Sequence, residues 1–139
     1  MPTPTWTPEG ERRISQYVKE TFGHEFVFLT DYAESIRPFY HMRNADDPTL
    51  TNSYDLIFNG VEISTGAQRE HRIDVLVEQA KQKGLDPEEL EFYLDFFRYG
   101  VPPHGGFGMG GLARVLMLLL HESSIRETTY LFRGPTRLL

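Results

Sequence analysis

Asn59-Gly60, set between the alternating runs SYDLIF and VEIST, constrains the fold of this chain more than any other feature. A type I′ turn needs positive φ at both central residues, which asparagine and glycine tolerate, so the pair predicts a two-residue β-hairpin within Asn52–Arg69. Strict pairing across that turn sets Phe58 against Val61, Ile57 against Glu62 and Asp55 against Ser64. The side-chain period of two then places Asp55, Ile57, Glu62 and Ser64 on one face. Asp55 and Glu62 become diagonal neighbours about 7 Å apart. Two carboxylates that close repel unless a cation or a proton lies between them, and Mg²⁺ suits such a pair because it takes its other ligands from water and phosphate oxygens. A solvated hairpin face is the plainer account of the same polar residues.

The flanking segments are mostly helical. Thr7-Pro8-Glu9 has the form of an N-cap, a proline at the first helical position and an acid in the first turn, and Ile14, Tyr17 and Val18 follow at helical spacing, so a first helix is expected to about Thr21. EFVFLTD (Glu25 to Asp31) and PFYHM (Pro38 to Met42) are of strand type. Two further helices are expected, one from Glu70 to Lys83 with Ile73, Leu76, Val77 and Ala80 on one stripe, the other capped by Asp86-Pro87-Glu88 and carrying Leu90, Tyr93, Leu94 and Phe97. These stripes are packing. Gly105–Gly110 reads as a short strand or loop, and Leu112–His121 as a strongly apolar helix belonging in the core.

Length and charge bound the rest. With 139 residues the chain has room for one domain with one core, residues 1–6 forming a proline-rich arm. It contains no cysteine, which excludes disulfides and thiolate metal sites and fits a reducing, cytoplasmic setting. A formal charge of -6 argues against a surface that grips a phosphate backbone as a whole. No apolar run is long enough to span a bilayer.

The stretch PPHGGFGMGGLAR, residues 102–114, spends glycine just before a helix, where free N–H groups favour an anion and a bare backbone lets a ligand approach. Tight helix-on-sheet packing is the alternative reason. Taken in order, NSYDLIFNGVEISTGAQREH, DFFRYGVPPHGGFGMG and SSIRETTYLFRGPTRLL, with RPFYHM upstream, resemble the C-terminal part of the catalytic domain of class II aminoacyl-tRNA synthetases, specifically the archaeal and eukaryotic aspartyl type. The resemblance runs from about Thr7 to the end of the chain.

That resemblance implies an α+β fold, part of the class II antiparallel sheet flanked by helices, and a set of roles. Asp55 and Glu62 match the family's acids that handle Mg²⁺ on ATP, and Thr65 stands where a serine helps hold the metal. Arg69 matches the arginine that binds the amino acid's side-chain carboxylate, with Gln68 and Gly66 beside it in the substrate site. Gly108, Gly110 and Arg114 match the third class II motif, which holds ATP, with His104 ordering the glycine loop; Arg114 and Glu62 would be the catalytic pair. The ligands implied are ATP, Mg²⁺ and aspartate or asparagine. Strict alternation puts Thr65 on the face away from Glu62, so a twist or bulge near Gly66 is expected.

Two departures bear on function. The chain has one more glycine than the motif at 110–111 and Ala113 in place of its acid, and one extra residue turns a helical side chain by about 100°. Either Gly110 or Gly111 absorbs the insertion, or Arg114 points away from the nucleotide. The family's anticodon-binding barrel and first two class II motifs have no counterpart here, so a shortened paralogue is expected, one that needs a homodimer or a partner protein or serves an acceptor other than tRNA. A non-catalytic module that keeps the fold is the other expectation.

Overall fold

The computed structural model describes residues 6–134; most of the expected N-terminal arm lies outside that range, as does everything beyond Gly134. A four-stranded antiparallel meander, in the order β1 (Phe26–Thr30), β2 (Ser53–Phe58), β3 (Val61–Gln68) and β4 (Gly105–Met109), carries four helices, which makes the fold α+β as expected. The turn at its centre is the one the sequence predicts, with φ of 46° at Asn59 and 80° at Gly60.

Helix α1 (Pro8–Phe22) begins where Thr7 accepts a hydrogen bond from the Gly10 N–H and stops at Gly23, whose φ of 71° ends the helix in a left-handed cap. Lys19 then ties it to the sheet, reaching Glu25 at 3.0 Å and the Asn59 side chain at 3.3 Å. Ile14 packs onto Leu29, Tyr32 and Ile57, so α1 covers the β1–β2 half of one sheet face.

A second core lies beyond the other end of the hairpin. Leu76 and Ala80 of α2 (Ile73–Gln82) and Leu94 and Phe97 of α3 (Glu91–Arg98) are buried, and Tyr40 and Tyr93 pack on that cluster. Burying each large apolar side chain stabilises the fold by about 1.5–3 kcal/mol. Both helices start later than their periodicity predicts. Glu70 turns its carboxylate inward to accept the N–H groups of His71 and Arg72, and Asp86 accepts from Glu88 N in a local turn, so neither acid begins a helix directly.

Two expectations are overturned. PFYHM is not a strand: the His41 N–H turns back to the Pro38 carbonyl, and only a single bridge, His41 with Arg69, joins it to the sheet. Helix α4 (Gly111–Leu119) is apolar as expected but has no buried residue, and Leu112 is 73% exposed. Its contacts are chiefly with the 3₁₀ turn Ile125–Thr128, so among the described residues no layer covers its outer face.

Candidate active site

The decisive local feature is a β-bulge at Ile63. Ile57 pairs with Glu62 as strict alternation requires, but Leu56 then pairs with Ser64 and Asp55 with Thr65, leaving Ile63 as the extra residue. The bulge falls nearer the turn than the expected position at Gly66, and it corrects the pairing of Asp55 with Ser64. Because facing residues project to the same side, one extra residue carries Thr65 onto the face that holds Asp55 and Glu62. Alternation continues through Ala67 to Arg69, while Gly108 pairs with Thr65 and Gly106 with Ala67 on β4. Asp55, Glu62, Thr65, Arg69, Gly106 and Gly108 therefore share one face, the one that α1 covers only over β1 and β2.

Within that face the carboxylates part company. Asp55 is buried, and Arg37 Nη2 lies 2.8 Å from its Oδ1, with the two side chains 7% and 13% exposed. Arg37 also donates to Thr65 Oγ1 at 3.2 Å and lies over the Tyr32 ring at 3.8 Å. Burial, then the neighbouring Asp55 carboxylate, pushes the Tyr32 hydroxyl pKa well above its usual value. Glu62 is half-exposed instead, and Arg114 Nη1 reaches its carbonyl oxygen at 2.7 Å and its Oε1 at 3.4 Å. Glu11 of α1 senses both acids: burial, then the charges of Asp55 and Glu62, raises its pKa.

At the extra glycine, Gly111 adopts φ of 69° at the entrance to α4, a conformation that favours glycine. Gly110 N donates to Ile63 O at 2.6 Å, and a Cβ on Gly110 would lie 2.5 Å from Arg114 Cδ. Gly110 is thus the gap through which Arg114 crosses to Glu62. An open groove of about 560 Å³ lies beside the pair, lined by Gly60, Val61, Glu62, Arg114, Met117 and Ser124.

Arg69 ends the row. Its N–H donates to His104 O at 2.9 Å and its guanidinium stacks over the Tyr40 ring at 4.3 Å. Among the described residues no carboxylate lies within ion-pairing distance of that guanidinium. A half-buried arginine without a protein anion is suited to a carboxylate ligand. Beside it His41 is 7% exposed, and burial, then the charges of Arg69 and Arg37, pushes its pKa down to about 4.

The other expected site residues are placed differently. Gln68 sits on the opposite face and accepts a hydrogen bond from Asn52 at 3.0 Å. Gly66 also belongs to that face, and a Cβ there would lie 2.6 Å from the Tyr54 ring, so tyrosine packing accounts for the glycine. The His104 ring turns to the Pro102 carbonyl at 3.0 Å. Sequence reasoning passed over Tyr32, Arg37, Tyr40, His41 and Glu11 as chemistry; the one signal was the RPFYHM segment, which holds three of them.

No cluster of three or more metal-ligating side chains occurs among the described residues, so any Mg²⁺ held here would need phosphate or water ligands as well. Glu62, open to the groove, fits that requirement, with the Thr65 hydroxyl on the same face. Asp55 fits it poorly, because Arg37 already neutralises it in a buried setting.

A family model described as tRNA synthetases class II (D, K and N) matches residues 6–133, and the chain belongs to this family. Among its relatives is the aspartate–tRNA(Asp/Asn) ligase of Aeropyrum pernix, 49% identical over 94% of this chain and 29% of that protein. The aspartate–tRNA(Asp) ligase of Pyrococcus furiosus is 46% identical over 94% of this chain and 30% of its own length. A solved structure of a putative aspartyl-tRNA synthetase from Leishmania major superposes with a TM-score of 0.91 at 42% identity, covering 99% of this chain and 27% of that one. Asparaginyl-tRNA synthetase from Pyrococcus horikoshii gives 0.84 at 32% identity, covering 98% and 31%. The chain thus spans about 30% of the length of the curated relatives it matches.

Proposed function

We propose that this chain supplies the amino-acid side-chain pocket and the β- and γ-phosphate side of an aspartyl-adenylate site. Arg69 grips the side-chain carboxylate of aspartate with two parallel hydrogen bonds. Glu62, Thr65 and Arg114 face the nucleotide's phosphates, over a backbone that Gly106 and Gly108 leave bare. The reaction served is attack by an oxygen of the α-carboxylate on the α-phosphorus of ATP, forming the mixed anhydride as the α–β phosphoanhydride breaks and pyrophosphate leaves. When bound, Mg²⁺ would neutralise charge on the phosphates and the departing pyrophosphate. The protein's part is positioning and electrostatic stabilisation. The supporting observation is the Ile63 bulge, which brings Glu62, Thr65 and Arg69 onto one open face.

Equilibrium binding of ATP with and without Mg²⁺ tests the nucleotide half. Glu62→Gln should weaken Mg-ATP binding by about 10–100-fold while leaving metal-free ATP binding nearly unchanged. Equal Mg²⁺ dependence in both proteins would count against Glu62 as a metal ligand.

A further inference from the structure

Arg69 can serve a carboxylate well only if its guanidinium is held in one plane, and the structure provides a specific holder. Tyr40 lies under the guanidinium at 4.3 Å. The Tyr40 segment is tied to the end of β3 by the two hydrogen bonds that make up the His41–Arg69 bridge, Met42 N to Gln68 O at 2.9 Å and Glu70 N to Tyr40 O at 3.0 Å. Its ring is braced from below by Phe39 and Tyr93, at centroid distances of 5.4 and 6.5 Å, and Tyr93 leads on to Phe97 of α3 at 5.1 Å. Gly106 lies close as well: a Cβ there would sit in van der Waals contact with the guanidinium, 3.4 Å from Arg69 Nε and 3.5 Å from Nη2.

We infer that Tyr40 is a positioning residue for Arg69 and, through it, a determinant of carboxylate-over-amide specificity. The inference rests on Arg69 being the side-chain carboxylate ligand proposed above. A guanidinium fixed against an aromatic face presents its N–H groups as a rigid fork. A carboxylate offers that fork two acceptors, whereas an amide offers one acceptor and turns an N–H₂ donor toward a donor. A guanidinium free to swivel can meet an amide oxygen with a single N–H, and the distinction between the two ligands shrinks. The α2–α3 layer, remote from the sheet face, thereby contributes to ligand choice by bracing Tyr93 and Tyr40.

The test is calorimetric titration of the full chain with aspartate and, separately, with asparagine, for wild type, Tyr40→Ala, Tyr40→Phe and Arg69→Ala, with thermal unfolding of each. Tyr40→Ala should bind aspartate about tenfold more weakly and lose about tenfold in the aspartate-to-asparagine ratio. Tyr40→Phe, which keeps the ring, should restore both. A folded Tyr40→Ala protein with the wild-type ratio overturns the inference and leaves the Arg69 assignment standing. So does a Tyr40→Phe protein as impaired as Tyr40→Ala. Wild type that binds aspartate no better than Arg69→Ala overturns the Arg69 assignment and this inference together.

Discussion

At the residue scale, the site is a row of charges whose partners differ, and the differences predict how each responds to change. Arg37 and Asp55 neutralise each other in a buried setting, whereas among the described residues no carboxylate pairs with Arg69. Removing one member of a buried pair leaves the other uncompensated, so Arg37→Ala should destabilise the fold by about 3–5 kcal/mol in denaturant unfolding, with Asp55→Asn in the same background recovering part of the loss. His41 gives a pH dependence. Its folded pKa of about 4 lies below the unfolded value near 6.5, so the unfolded chain binds a proton that the folded chain refuses between those limits. Stability held above pH 6.5 should therefore fall as pH drops toward 4, and unfolding curves across that range should flatten in His41→Gln. Gly66→Ala should cost about 1–3 kcal/mol, because its Cβ would meet the Tyr54 ring at 2.6 Å.

At the scale of elements, the hairpin was legible because its turn chemistry is local: Asn59-Gly60 sets the register of Phe58 with Val61 and Ile57 with Glu62. The bulge was not, since Ile63 is a β-branched residue in a regular-looking strand and only packing decides that it stands unpaired. Strict alternation accordingly faced Asp55 with Ser64 and placed Thr65 on the wrong side, while the need for some bulge was visible only through the roles implied by resemblance. PFYHM misled for a related reason: its aromatic residues have strand propensity, but they serve the Tyr40–Tyr93 cluster beneath Arg69. Deleting Ile63 should remove the bulge while leaving Leu56 opposite Ser64 and Asp55 opposite Thr65, since only the unpaired residue is lost. Hydrogen exchange should then show β3 still protected and Mg-ATP binding retained; lost binding in the folded deletion variant would mean that the site needs more from the bulge than the register it sets. Gly111→Ala should cost about 1–2 kcal/mol, because φ of 69° is strained for any residue with a Cβ.

At the scale of the whole molecule, the core calls attention to what it leaves uncovered. The face opposite the site presents Phe28 at 60% exposure and Phe107 at 69%, and α4 presents Leu119 at 59%. Helical periodicity marked α4 as apolar but could not show whether anything packs on it, because burial depends on neighbours that the pattern does not name. Exposed apolar area of this kind favours association, so multi-angle light scattering at micromolar concentration should find the chain self-associated, and Phe28→Glu should shift it toward monomer. A wild-type monomer would contradict that expectation. Among the described residues no helix is long and apolar enough to cross a membrane. The central claim, that the Glu62–Thr65–Arg69 face receives aspartate beside Mg-ATP, is tested most directly by titrating aspartate into the chain with and without Mg-ATP, with Arg69→Ala as control. Binding should strengthen with Mg-ATP and weaken by more than about 30-fold in Arg69→Ala. Aspartate affinity equal in both proteins and indifferent to Mg-ATP would contradict it.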